Sequence, residues 1–104
     1  MTARRRTVRA TQRFFEDLDR QLPSERGPDG QPSANDFQVL DLLRVIEQFA
    51  VAWDELPELI PGTPRYRFLM ASGNVVARFA VIGQLAPDDA VELVQLDIDT
   101  GPSW

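Results

Sequence analysis

The sequence predicts a small α+β domain with the element order β-α-α-β-β-β, in which a small antiparallel sheet packs on a two-helix hairpin. Residues 65–99 contain three consecutive stretches of alternating side chains, separated by polar turns, which is typical of a β-meander. Two earlier segments, about 12–22 and 33–56, have apolar residues at helical spacing. Because the strands are apolar on both sides, the helices are expected to cover the sheet.

Length and composition restrict the chemistry that this chain can perform. Its 104 residues suffice for one domain with a real core, residues 1–104, and we expect loose termini at 1–5 and 100–104. There is no cysteine and no histidine, which excludes a disulfide framework and the commonest general base and metal ligand. We predict no cofactor and no metal, since Asp97 and Asp99 lack the clustered oxygens that divalent ions need. Without a membrane-length apolar run or a signal peptide, a cytoplasmic location is expected.

Charge is distributed unevenly along the chain. All eleven basic residues are arginines, and five of them precede the first acidic residue. Residues 14–104 carry six arginines against 16 acids, and the whole chain has a net charge of −5. A chain this acidic is a poor general binder of polyanions, so any nucleic-acid contact must be local. The residues assigned to that contact are Arg4, Arg5, Arg6, Arg9 and Arg13; the alternative is a solvated N-terminal segment.

The N-terminal part predicts a short edge strand followed by a first helix. Residues 6–11 alternate weakly, and Thr11 is placed to cap a helix over 12–22 that Pro23 ends. The acids of this helix, Asp17 among them, are expected to face water. Its apolar side is formed by Phe14, Phe15, Leu18 and Leu22.

A proline- and glycine-rich segment separates the two helices. Residues 23–35 predict a mobile surface loop. Ser33 and Asp36 then form a variant capping box at the start of a helix that continues to about Leu56. Asp41 is placed on its wet side. The predicted apolar stripe consists of Val39, Leu42, Leu43, Ile46, Phe49, Ala50, Trp53 and Leu56.

The last third supplies the sheet. The predicted strands cover 65–72, 75–82 and 90–98, and Ser72–Asn74 is expected to provide positive-φ residues for a tight hairpin. Residues 83–89 form the second hairpin loop. The predicted core consists of Phe15, Leu18, Leu42, Ile46, Phe49, Phe68, Phe79, Val81, Leu93 and Leu96.

Three arginines of the meander are the polar residues that most clearly suggest a functional site. Arg65 and Arg67 project from one face of the first strand, and Arg78 lies near them if the turn type directs it to the same face. Clustered guanidinium groups suit phosphate binding and the stabilisation of transition-state charge. The alternative is that these arginines pair with carboxylates near the end of the second helix: Asp54, Glu55 and Glu58.

The element order and one dipeptide resemble the RelE/ParE superfamily of bacterial toxins over residues 4–99. Tyr66–Arg67 stands where that family has a "YR" at the start of its meander, and 75–82 and 91–98 stand where it has its central strands. The resemblance implies the toxin of a toxin–antitoxin module, with an antitoxin as partner. It also implies cleavage of ribosome-bound mRNA, in which the 2′-hydroxyl attacks the adjacent phosphate.

Several features depart from that family. The chain is acidic, the segment 58–64 has no lysine, and the arginine of the next strand comes late, at Arg78. By resemblance Arg67, with Arg65 and Arg78, is the candidate catalytic group, and no general base is carried over. The alternative is a non-catalytic member that binds a protein partner, either a gyrase inhibitor or a degenerate toxin. A homodimer of unknown role is a third interpretation.

Overall fold

A computed structural model describes residues 5–28 and 30–99. They form one mixed four-stranded sheet with the order β1-β4-β3-β2 and a helical layer on one of its faces. The elements are β1 (Val8–Ala10), α1 (Gln12–Gln21), α2 (Ala34–Phe37), a π-helical segment (Gln38–Leu42), α3 (Leu43–Val51), a 3₁₀ turn (Trp53–Glu55), β2 (Tyr66–Ser72), β3 (Arg78–Leu85) and β4 (Val91–Asp99).

The predicted α+β class and element order are confirmed. β2, β3 and β4 form the expected antiparallel meander, whereas β1 pairs with β4 in parallel, so the sheet is mixed rather than wholly antiparallel. The chain from β1 into α1 follows β4 from Val91 towards Ile98, and this path fixes the direction of β1. Arg4, Trp104 and the rest of the predicted loose termini, except Arg5, lie outside the described residues.

Helix α1 completes the outer edge of β4 where β1 ends. Thr11 caps α1 and donates its hydroxyl to the Leu93 carbonyl. The Asp17 carboxylate then accepts from the Leu96 N–H at 3.0 Å, and the Gln21 amide bonds to both Leu96 and Ile98. The prediction that Asp17 faces water is therefore wrong. It is buried because it satisfies a strand N–H that has no strand partner.

The long helical stretch from α2 to α3 buries most of the predicted apolar stripe but not all of it. Buried residues recur every four positions, and in a regular α-helix each step of four residues rotates the side chain by about 40° around the helix axis. The π-helical segment contains one extra residue in its turn, which offsets this rotation and keeps the buried residues on one side. Val39 and Leu43, both predicted in the stripe, are 56% and 65% exposed. The buried positions at this spacing are Phe37, Asp41, Val45, Phe49 and Trp53. Leu42, Ala50 and Leu56 of the predicted stripe are buried as well.

The connection between β2 and β3 is not the tight turn that was predicted. β3 begins only at Arg78, and among the described residues positive φ occurs at Gly30, Gly62 and Asp89 instead. The loop is held by Asp41, whose carboxylate accepts from the backbone N–H groups of Asn74 (2.7 Å) and Val75 (3.1 Å). Asp41 is fully buried for this reason, contrary to its predicted place on the wet side.

The core lies between the helices and one face of the sheet. Among the predicted core residues Phe15, Ile46 and Phe68 are only half-buried. Phe68 belongs to the opposite sheet face, which no helix covers, because it alternates with Leu69 along β2. The other predicted core residues are buried: Leu18, Leu42, Phe49, Phe79, Val81, Leu93 and Leu96. The structure adds Phe14, Phe37, Val45 and Trp53.

The segment before the second helix is attached to it by a capping box. Ser33 and Asp36 exchange the two reciprocal hydrogen bonds, as predicted. The Arg26 guanidinium also donates to both Asp36 oxygens, and this contact, with the Ser33 N–H, lowers the pKa of the Asp36 carboxyl to about 2. The mobility of 23–35 stays a prediction.

Gly83 allows the long helix to approach the sheet. An added Cβ would lie 2.6 Å from Cε1 of Phe49, which is fully buried against this strand. We expect Gly83→Ala to lower the free energy of unfolding by about 1–3 kcal/mol, because the ring must leave its position. Urea denaturation measures the change. In a double-mutant cycle with Phe49→Leu, the two losses should be less than additive; strict additivity would place the strain elsewhere.

The Arg26–Asp36 contact gives the helix start a defined pH dependence. Because the Asp36 pKa is about 2 when folded against an ordinary 3.8, its stabilisation is complete above pH 4 and lost as the pH falls towards 2. An NMR titration of the carboxyl carbon should give this low pKa. Arg26→Ala should raise the pKa towards its ordinary value. An unchanged pKa in that variant would show that Ser33 alone sets it.

Candidate functional site

The side chain of Arg67 lies at the junction of β2 with the 3₁₀ turn and is largely covered. Its guanidinium donates to the carbonyl oxygens of Leu56 (2.8 Å), Asp54 (3.3 Å) and Pro64 (3.3 Å). It also lies 3.9 Å from the Glu58 carboxylate and 5.6 Å from the centre of the Trp53 ring. With 14% of its side chain exposed, Arg67 anchors the connection between helix and strand.

The other two arginines of the predicted catalytic group lie elsewhere. Arg65 is exposed and donates a long hydrogen bond, 3.4 Å, to the Leu85 carbonyl. Arg78 pairs with Ser72 at the other end of the β2–β3 ladder, whereas Arg67 pairs with Gly83. Strand alternation therefore directs Arg78 to the uncovered sheet face and Arg67 to the helical face.

The structure thus does not bring Arg65, Arg67 and Arg78 together in one site. The Glu58 contact of Arg67 agrees with the alternative interpretation, in which a carboxylate after the second helix is its partner. Arg78 lies 3.8 Å from Asp99, with both side chains exposed. A catalytic role for the three arginines stays a prediction, and their separation means that no phosphate could contact all three.

The N-terminal arginines are distributed among acidic partners. Arg5 contacts Glu47, Arg6 contacts Asp89, and Arg9 contacts Asp88 at 3.0 Å. The hydrogen bond from Arg9 lowers the pKa of the Asp88 carboxyl and raises the pKa of Arg9 itself. Arg13 is exposed on α1, and Arg4 lies outside the described residues. Nucleic-acid contact by Arg4, Arg5, Arg6, Arg9 and Arg13 stays a prediction, but three of them already neutralise carboxylates of the same chain.

Exposed apolar side chains are the more prominent surface feature, and sequence reasoning missed them. They occur on the long helix, in the segment between helix and sheet, and on β2. Met70 and Leu69 are directed to opposite faces of a strand that is apolar on both sides. This alternation was the one sequence pattern that indicated an uncovered apolar face. The large hydrophobic side chains exposed in the described part of the chain are Val39, Leu40, Leu43, Val51, Leu59, Ile60 and Met70.

Two grooves follow β2, one on each face of the sheet. On the helical face a groove of about 290 Å³ runs between α3 and β2. Its lining comprises Arg44, Val45, Glu47, Gln48, Leu69, Ala71 and Phe79. On the uncovered face a groove of about 270 Å³ lies over β2 and β3. Its lining comprises Leu59, Phe68, Met70, Ala80, Ile82, Gln95 and Asp97.

Each groove is lined by few charged groups: Arg44 and Glu47 in the first and Asp97 in the second. Within residues 5–28 and 30–99 no cluster of three or more aspartates and glutamates could hold a metal ion. Both grooves are mainly apolar with a few polar groups at the rim, which is a composition suited to binding another chain. In the same residues no helix is both long and apolar enough to cross a membrane.

Comparison of the chain with protein-family models, with curated proteins and with solved structures found no match. The class that the fold defines is therefore a small α+β domain with a mixed four-stranded sheet, and the RelE/ParE resemblance stays a prediction.

The contacts of Arg67 predict a structural role that a stability measurement can test. Arg67→Ala removes several charge-assisted hydrogen bonds to carbonyl oxygens and should lower the free energy of unfolding by about 1–3 kcal/mol. Arg67→Lys should recover only part of this loss, since an ammonium group cannot reproduce the forked contacts. The matched control, Arg65→Ala, should stay within about 0.5 kcal/mol in the same urea denaturation. Equal stability of the two alanine variants would contradict the anchoring role.

Proposed function

We propose that this chain is a non-catalytic, protein-binding member of the toxin class that its sequence resembles, and that it acts on a protein partner rather than on mRNA. The observation that carries this proposal is the engagement of Arg67. Its guanidinium is directed at three carbonyl oxygens of its own chain. A residue that stabilises a scissile phosphate needs donors that are free to reach the developing charge.

The surface composition supports binding to protein. The exposed apolar side chains of Leu59 and Met70 line the groove on the uncovered face of β2. The N-terminal arginines that could attract RNA contact carboxylates instead. The chain as a whole is acidic, with a net charge of −5, which opposes association with a polyanion. The partner implied by the resemblance is a small antitoxin encoded by a neighbouring gene. If the chain acts as a gyrase inhibitor, its target is DNA gyrase.

The ribonuclease alternative differs from this proposal in one measurable product. Controlled expression of the wild-type chain without any partner, followed by mapping of mRNA ends, should show no new ends. Purified protein added to ribosomes translating a defined mRNA should likewise leave the mRNA intact. The same protein should bind the product of the neighbouring gene in a stable complex, as measured by calorimetry.

Arg78→Ala and Arg65→Ala are the test variants for these assays, because both arginines belong to the predicted catalytic group and both are exposed, so that their loss should not affect folding. New mRNA ends that appear with wild-type protein and disappear with Arg78→Ala or Arg65→Ala would overturn the proposal in favour of the ribonuclease. Intact mRNA together with inhibition of gyrase supercoiling would identify gyrase as the partner.

A further inference from the structure

The outer edge of β2 is only partly covered. The Leu59 N–H donates to the Tyr66 carbonyl and the Phe68 N–H donates to the Pro57 carbonyl, so these strand residues direct their backbone groups away from β3. Alternation along an antiparallel strand gives Met70 and Ser72 the same outward direction. Within residues 5–28 and 30–99 the structure shows no hydrogen bond to the outward groups of Met70 and Ser72.

This free edge is uncharged and its exposed side chain is apolar. Residues 68–72 read Phe-Leu-Met-Ala-Ser, and Met70 at the centre is 66% exposed. Edge strands of monomeric proteins commonly carry a charge, a proline or a bulge that prevents pairing with another chain. The bulge of this sheet lies between β3 and β4, away from the free edge.

The uncovered length of the edge selects one register. Cover by residues 57–59 ends at Phe68 and the strand ends at Ser72, so Met70 is the middle of the available stretch. An antiparallel pairing about a two-fold axis at Met70 joins Met70 to Met70 of the second copy. It also directs the Ser72 N–H at the Phe68 carbonyl of the second copy, since the Phe68 N–H is already bonded to Pro57. No like charges meet in this arrangement, and the outward N–H and C=O of Met70 gain partners on both copies.

The long helix on the covered face of the sheet is complementary to itself under the same axis. Asp41 lies beside Asn74 at one end of β2, and Phe49 lies over Gly83, which pairs with Arg67 at the other end. The level of Met70 therefore falls near the middle of that helical span.

A two-fold axis at that level opposes residues on either side of Val45. It relates Arg44 of one copy to Glu47 of the other, and both residues line the groove that faces the edge. Within their own chain Arg44 lies 3.6 Å from Asp41 and Glu47 lies 2.8 Å from Arg5. It also places the exposed Leu40 near the exposed Val51 of the second copy. Charges of opposite sign and apolar side chains thus meet their counterparts across the axis.

We propose that two copies of this chain associate through their β2 edges in antiparallel register centred on Met70, which joins the two sheets into one of eight strands. The two long helices pack side by side over the new junction. This inference goes beyond the proposed function and does not rest on it, since a dimer of this kind could occur in a binding protein or in a nuclease.

A single cysteine tests the register directly, because the chain contains none. In the full-length protein, Met70→Cys places two sulfhydryl groups opposite each other on strands whose Cα atoms are about 5.5 Å apart, within the range of a disulfide. Mild oxidation should convert most of this variant into a covalent dimer. The matched control is Ile60→Cys, an exposed apolar position in the connection before β2, which should stay monomeric under denaturing electrophoresis.

Association is measured separately by sedimentation equilibrium over a range of concentrations. Met70→Lys sets two like charges opposite each other and should weaken the dimer at least about tenfold, whereas Ile60→Lys should not. Arg44→Glu and Glu47→Arg should each weaken it, and the double exchange should restore it. A circular dichroism melt confirms that each variant is folded.

Several results would overturn the proposal. One is a wild-type chain that stays monomeric up to about 1 mM. Another is a dimer that Met70→Lys leaves unchanged. A third is crosslinking of Met70→Cys that is no faster than crosslinking of Ile60→Cys. That result would indicate that the edge pairs with a strand of some other protein.

Discussion

Backbone groups at the two rims of the sheet are the constraint on which the rest of this structure depends. A strand at a rim directs half of its N–H and C=O groups away from the sheet, and each needs a partner. On the β4 side, β1 supplies partners as far as Leu93, and Asp17 and Gln21 of α1 supply them beyond it. This one requirement explains the parallel direction of β1, the position of α1 and the burial of a carboxylate beneath a helix. On the β2 side the cover stops at Phe68.

A large part of the fold could be predicted because it depends on local patterns. Alternation defined the meander, and helical spacing with the Ser33–Asp36 box defined the helices. The rest depends on contacts between residues distant in sequence. Asp17 and Asp41 were placed in water because aspartate on a helix is usually solvated, yet each accepts from strand or loop N–H groups far along the chain. The extra residue of the π-helical segment leaves no mark in composition, so the rotation that exposes Leu43 could not be foreseen.

The candidate site was less predictable than the fold, for a related reason. Strand alternation predicts that Arg65 and Arg67 share one side, but β2 begins only at Tyr66, so Arg65 lies before the strand and is exposed. The length of the β2–β3 connection decides where Arg78 lies. That connection is set by Asp41, through its bonds to the loop backbone, rather than by turn residues. A guanidinium is also a suitable partner for any carbonyl within reach, and Arg67 finds three at the end of the 3₁₀ turn. An arginine in a motif can thus serve the scaffold as readily as a substrate.

The same features that remove a catalytic cluster leave a surface suited to protein contact. The arginines described near the N terminus and at the start of β2 mostly contact carboxylates and carbonyls of their own chain, which reduces the positive field that RNA would need. The helical rotation that buries Val45 and Phe49 exposes Leu40 and Leu43, and the Leu40 carbonyl accepts from Asn74 just beyond the incompletely covered edge of β2. Apolar side chains next to unpaired strand groups offer burial and main-chain hydrogen bonds together, the combination by which one chain adds a strand to another. The geometry of the two edges therefore connects how this chain folds with what it can bind.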